Sequence, residues 1–254
     1  NAEKCKFKKL GYDPIEFLNK SKKIKKGFFY KNYSPANSKR MYFSEINAGR
    51  IDFFRHTIES WKENSQLTKN EYFFLLACLM ESVSKVSNTA GVYGAFLKKW
   101  DSRAKKPIKF IEIPFNKQTA LSSKNLNSRI EEIIDKVECD IIYLDPPYTQ
   151  NQYGTQYHLL ETLILDDSPP ISEITGSRPV TPIRSNFSVD IKAQVLFEEI
   201  IAKTKARYIL FSFSSDGFYS EKFIESVLKR YGKENTYKVK KINYKQYQNF
   251  KSKK

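Results

Sequence analysis

Asp145, Pro146, Pro147 and Tyr148 follow directly on the apolar run Ile141-Ile142-Tyr143-Leu144. A β-branched run of this kind predicts a buried strand, and two prolines forbid its continuation, so Asp145 and Tyr148 are left at the strand's carboxyl end, where ligands bind in open α/β sheets. Neither proline has an N–H, and both have a fixed φ, so the turn is a stiff cluster of carbonyl and carboxylate acceptors beside an aromatic face. The exocyclic amino group of a nucleobase matches it. Oxygens that accept both N–H hydrogens localise the lone pair on nitrogen, while an aromatic ring stacks on a base taken out of the duplex. A sulfonium methyl donor loses its charge as the methyl leaves, so no strong general base is needed.

At these residues the chain resembles the amino-methylating DNA methyltransferases, whose signature is Asp/Asn/Ser-Pro-Pro-Tyr/Phe after a hydrophobic strand. Further blocks narrow the resemblance to the Dam-related adenine-specific modification methylases: Gln152-Tyr153 and Tyr157-His158-Leu159-Leu160-Glu161-Thr162 downstream, with Tyr42-Phe43, Asn47-Ala48-Gly49-Arg50-Ile51-Asp52 and Asn88 to Lys98 upstream. Together they run from about Gly27 to Phe218. The resemblance implies an adenine-specific enzyme that uses S-adenosylmethionine and acts on duplex DNA by base flipping, within a restriction-modification system that includes a cognate endonuclease. It assigns amino-group acceptance to Asp145 and the Pro146 carbonyl, stiffening to Pro147 and stacking on the base to Tyr148. Asp145 and Asn125 fall on its cofactor side, and Gln152, Tyr153, Tyr93, Lys98 and Arg178 on its DNA side.

The chain departs from the family in two places. The glycine-rich Phe-x-Gly-x-Gly turn that binds the cofactor is not found; the close pair Gly91 and Gly94 follows a helical pattern rather than a strand. Lys124-Asn125 replaces the acidic residue of an Asp-Ala-Asn-like turn near the cofactor adenine. The expectation is therefore a later part of a longer enzyme. The alternative is a non-catalytic DNA-binding fragment or one half of a split methyltransferase. Cytosine amino-methylation more commonly has Ser in the first motif position, and protein glutamine methylation has Asn; Asp145 and the charge argue against each in turn.

A chain of 254 residues with 44 Lys+Arg against 28 Asp+Glu carries a formal charge of +16, which suits a polyanionic partner. Aromatic residues make up 15% of the chain, many of them tyrosines interleaved with lysine, the two residue types that nucleic-acid binding uses. Cys5, Cys78 and Cys139 lack metal-ligand spacing, so neither a disulfide framework nor a metal site is expected. No apolar run spans a membrane, and cytoplasmic residence is expected.

The elements that position the motif follow from periodicity. Ser44 is a predicted N-cap, and Asn47, Ile51, Phe54, Ile58 and Trp61 mark one face of a helix over about Glu45 to Asn64. Arg50, Arg55 and Lys62 on that helix are expected to be solvated or to reach phosphates. Thr68 and Glu71 form a capping box for a second helix running through Val86 and closed by Gly91. The aromatic and basic stretch Gly27 to Pro35 fits DNA contact, the lining of a cofactor pocket or ordinary packing on the core. Pro107–Pro114 alternates as a strand, 119–123 is a further candidate, and Ser128–Val137 is a predicted helix. His158 opens another helix as a structural histidine. Residues 169–182 are linker-like, with Arg178 inside and Arg184 just beyond, and the resemblance implies that this loop follows the active site and approaches the DNA backbone. A helix over Asp190 to Lys203, a strand over Tyr208 to Phe213, a helix over Glu221 to Arg230 and a hairpin over 237–248 complete the pattern. The expected fold is α/β: a Rossmann-like S-adenosylmethionine-dependent methyltransferase sheet with its catalytic half in 107–254, and a mainly helical target-recognition insertion in 1–106.

Overall fold

The computed structural model describes residues 7–114, 123–179 and 185–243. It is a mixed α/β structure of two compact units, Asn1–Asn125 with Asn151–Ser185, and Leu126–Gln150 with Asn186–Lys254.

The described residues of the first unit are helical. Asp13 caps α1 (Pro14–Lys20), accepting from the Ile15 and Glu16 amides with Pro14 at the helix start. A five-residue α2 (Phe28–Asn32) follows, then α3 (Glu45–Glu63), capped by Ser44, and α4 (Lys69–Ser84), opened by the Thr68–Glu71 capping box. Short α5 (Tyr153–Gln156) and α6 (His158–Leu165) complete the unit. The expected stripe of α3 is buried, and Ala48, Gly49, Arg50, Asp52 and Arg55 are buried with it, so this helix is surrounded rather than packed on one face. Its core joins Ile51, Phe54 and Ile58 to Leu75 and Leu79 of α4, Leu159 and Leu163 of α6, and Tyr33, Tyr42 and Phe43.

Several sequence expectations are corrected here. Residues 107–114 contain no strand, although Ile108 and Phe110 alternate inward as expected. Side chains replace the missing strand partner: the amides of Ile108, Phe110 and Ile111 donate to Asn47 Oδ1, Asn19 Oδ1 and Ser82 Oγ at 2.9, 2.9 and 2.8 Å. α4 ends at Ser84, so Gly91 is not its terminal cap; its φ of +108° turns a later loop. Residues 128–137 form two separate 3-10 turns rather than one helix. Phe29 and Tyr33 are buried, which settles the aromatic stretch as packing. No strand forms over 237–242; the second arm of that hairpin, the candidate strand residues 119–122, and Arg184 lie outside the described residues.

The second unit is built on two parallel strands, β1 (Ile141–Leu144) and β2 (Tyr208–Phe211), in register Ile141 to Tyr208 and Leu144 to Phe211. α7 (Asp190–Lys203) connects toward β2, and α8 (Glu221–Tyr231) follows it, capped by Ser220 and ending at Gly232. Ile142, Leu144, Ile209 and Phe211 pack with Leu196, Phe197, Ile200 and Val227 in a separate core. Ile141, Tyr143, Tyr208 and Leu210 alternate onto the opposite face, each more than half exposed. The expectation of buried strands thus holds for one face only, where Leu144 is buried and Ile142, Ile209 and Phe211 are half-buried. Among the described residues, no helix is long and apolar enough to cross a membrane.

Candidate functional site

Both strands of the second unit end at the same level, and their exits form one cluster. The Ser212 amide donates to the Leu144 carbonyl at 3.0 Å, carrying the ladder one residue past β2 and fixing the base of the Asp145–Tyr148 turn. The Phe218 amide donates to the Tyr148 carbonyl at 3.0 Å and fixes its far end. Between them, Gly217 leaves no room for a side chain: a Cβ there would sit 2.8 Å from the Tyr148 carbonyl oxygen and would overlap the Phe213 ring.

The Tyr148 hydroxyl donates to Asp145 Oδ1 and lies 2.8 Å from Ser212 Oγ, while its ring meets Phe213 edge-on at 5.5 Å. Burial, followed by the neighbouring Asp145 carboxylate, pushes its phenol up to about 12, so the hydroxyl keeps its proton at any working pH. Asp145 is exposed, and Pro146 and Pro147 are half-buried. Asp145 Oδ2 and the Pro146 carbonyl are acceptors of the kind that a flat amino group requires.

The remaining sequence-predicted residues lie in the first unit, where each has a defined position. Gln152 is buried; its amide accepts from the Ser185 N–H at 2.9 Å and donates to the Ser185 carbonyl, bracing the chain. Tyr93 is buried, with its hydroxyl 3.4 Å from Ser84 Oγ and its amide on the Gln156 carbonyl. Arg178 is paired bidentately with Asp167 at 2.6 and 3.2 Å, which neutralises its charge within the loop. Tyr153 and Lys98 are exposed, and Tyr153 lies 6.1 Å from Tyr157, ring to ring. Arg50 and Arg55 are buried rather than solvated: Arg50 donates to the Leu18 and Lys23 carbonyls, and Arg55 holds Glu59 and the Leu163 carbonyl. Lys62 pairs with the same Glu59. His158 is buried, with Nε2 2.8 Å from the Tyr93 carbonyl oxygen and Nδ1 lacking a hydrogen-bond partner. Burial pushes its imidazole down to about 4, so it is a neutral structural residue.

Ser212 to Gly217 are expected beside the Asp145–Tyr148 turn only if the two strands are neighbours, and the parallel pairing of β1 with β2 meets that condition; what the sequence did not give is the individual contacts of Ser212, Phe213 and Gly217. The visible signal was an apolar run ending in Ser-Phe-Ser-Ser-Asp-Gly, which marks a strand exit but not which strand it adjoins. Cofactor-binding elements are less complete. Asn125 is exposed on an irregular segment, and Gly91 and Gly94 belong to the loop after α4. Among the described residues, neither strand leads into a closely spaced glycine pair, so those present do not by themselves fit S-adenosylmethionine. They also hold no cluster of metal-ligating side chains.

Comparison with known proteins agrees with the motif. The chain is 41% identical over 94% of its length to the type II methyltransferase M.FokI of Planomicrobium okeanokoites, covering 38% of that protein. It is 33% identical over 87% of its length to the modification methylase StsI of Streptococcus sanguinis, covering 34% of it. It is 36% identical over 82% to the type II methyltransferase M.NlaIII of Neisseria lactamica, covering 62% of it. The chain therefore spans between about a third and two thirds of the length of these relatives. No solved structure matches. The family model for the D12 class of N6 adenine-specific DNA methyltransferases matches residues 6–215, and with the Asp-Pro-Pro-Tyr turn inside that span, the chain belongs to the D12 class N6 adenine-specific DNA methyltransferase family.

Proposed function

We propose that this chain carries the amino-group-binding site of an adenine-specific DNA methyltransferase that methylates the exocyclic amino group of a flipped adenine in duplex DNA. The observation that carries this reading is the acceptor cluster at the β1 exit: Asp145 Oδ2 and the Pro146 carbonyl beside the Tyr148 ring, in a turn pinned at both ends by β2 and the loop after it. In the proposed roles the two oxygens accept the amino hydrogens, so that the nitrogen lone pair is freed for attack, and Tyr148 stacks on the base. S-adenosylmethionine supplies the methyl group. The names of the relatives support a modification enzyme of a restriction-modification system; double-stranded DNA as substrate, a cognate endonuclease as functional partner and the cytoplasm as compartment complete the reading.

The two-stranded sheet is in this reading part of a Rossmann-like sheet, with 1–106 as the target-recognition region and Tyr153 and Lys98 as exposed candidates for DNA contact. A second reading is favoured by the bare apolar face of β1 and β2 together with the missing glycine-rich turn. In that reading the chain alone binds DNA and performs transfer only with the rest of a longer or split enzyme. Asp145→Ala should reduce methyl transfer to adenine-containing duplexes by at least about 1,000-fold while leaving duplex affinity within about threefold. Near-normal turnover in that variant would sink the site assignment. Isothermal titration of the chain with S-adenosylmethionine tests whether the cofactor pocket is complete within it: heat of binding would exclude the second reading, and no heat is the result that reading expects.

A further inference from the structure

We propose that Ser212 is a positioning residue for methyl transfer, acting through the Tyr148 hydroxyl; the inference rests on the amino-group site proposed above. Tyr148 has one hydroxyl hydrogen, and a carboxylate can only accept, so that hydrogen goes to Asp145 Oδ1. The 2.8 Å contact with Ser212 is then a bond donated by the serine, giving the chain Ser212 to Tyr148 to Asp145. Ser212 is itself fixed, because its amide is tied to the Leu144 carbonyl and Phe213 packs its ring edge-on to Tyr148.

This arrangement creates a competition and also resolves it. An incoming amino group seeks the same carboxylate that the Tyr148 hydroxyl occupies. A serine hydroxyl can donate or accept, so when the base arrives Ser212 turns from donor to acceptor and takes the hydrogen that Tyr148 withdraws from Asp145. The ring stays in its stacking position, and no polar group is stranded. Without Ser212, Tyr148 has only Asp145 as acceptor and holds it against the substrate.

A double-mutant cycle in the full-length protein tests this. Ser212→Ala should lower kcat about tenfold with little change in the KM for DNA, the size expected for one uncompensated hydrogen bond. Ser212→Thr should restore it. In the Tyr148→Phe background, which removes the competing hydroxyl, Ser212→Ala should change kcat by less than about twofold, since residues that act as one unit are not additive. The same tenfold loss in both backgrounds, or no loss in the single variant, overturns the proposal. NMR of the Tyr148 ring labelled at Cζ supplies a readout free of turnover. The signal should move in Ser212→Ala and return in Ser212→Thr, and an unmoved signal overturns the contact. Absence of transfer by the parent enzyme would count against the methyltransferase reading instead, and the NMR shift still decides Ser212.

Discussion

At the residue scale, the polar side chains of the upstream family blocks serve the fold. Asp52 caps α2, accepting from the Phe29 and Tyr30 amides at 3.0 and 2.8 Å, and its burial pushes the carboxyl up to about 6 against those bonds. His158, buried against Tyr33 and Tyr42, is pushed the other way, to about 4. The two have opposite linkage. Neutral His158 contributes stability that is complete above its ordinary 6.5 and is lost as pH falls toward 4. Asp52 contributes stability that is complete below its ordinary 3.8 and is lost as pH rises through about 6. Each effect is on the order of 3 kcal/mol, so they nearly cancel between pH 6.5 and 4. In His158→Phe only the Asp52 effect remains, and its urea midpoint should climb across that range while the parent's stays nearly flat. Parallel profiles for the two proteins would show that the buried histidine carries no linkage.

At the element scale, helices in the first unit hold irregular segments in place by single amides. Asn47 on α3 accepts from the Ile108 amide and donates to the Ala104 and Lys106 carbonyls at 3.2 and 2.9 Å. Asn88, itself in the loop after α4, joins the Met41 and Leu97 carbonyls to the Asp101 amide in the same way. Buried loop backbone needs such partners, because water cannot reach it. Asn47→Ala strands three backbone groups and should cost about 3 kcal/mol, seen as a lower urea midpoint with an unchanged slope. The helices themselves were legible because caps and apolar spacing are local: Ser44, Thr68 and Glu71 sit where they were expected. The strand expected over 107–114 was not, because alternation reports which side chains face inward and says nothing of what bonds the backbone. α1 was missed although Asp13-Pro14 is a helix start, since the surrounding lysines mask its periodicity. α2 is set by Asp52, more than twenty residues away, and has no local signal strong enough to find.

At the scale of the whole molecule, the +16 charge is the property most open to test. Arg50, Arg55 and Arg178 are engaged internally, while Lys98 and the run Lys22, Lys23, Lys25 and Lys26 are exposed, which makes these lysines the candidates for phosphate contact under the proposed function. Binding through several such contacts should weaken by at least about 100-fold between 50 and 200 mM salt, measured by fluorescence anisotropy on a duplex. A nearly flat salt dependence would remove electrostatics as the basis of DNA affinity. By itself, the order of residues determined the Asp145–Tyr148 turn, the main helices and the pairing of charge with aromatics, because each depends on neighbours within a few positions. Only tertiary structure decided that β2 lies beside β1, that Ser212 meets Tyr148 across 64 positions, and that Gln152, Tyr93 and Arg178 are held inside their own unit. The physical reason is that a side chain's hydrogen-bonding capacity is written in its type, whereas the partner that takes up that capacity is chosen by whichever distant segment the packed core brings within about 3 Å.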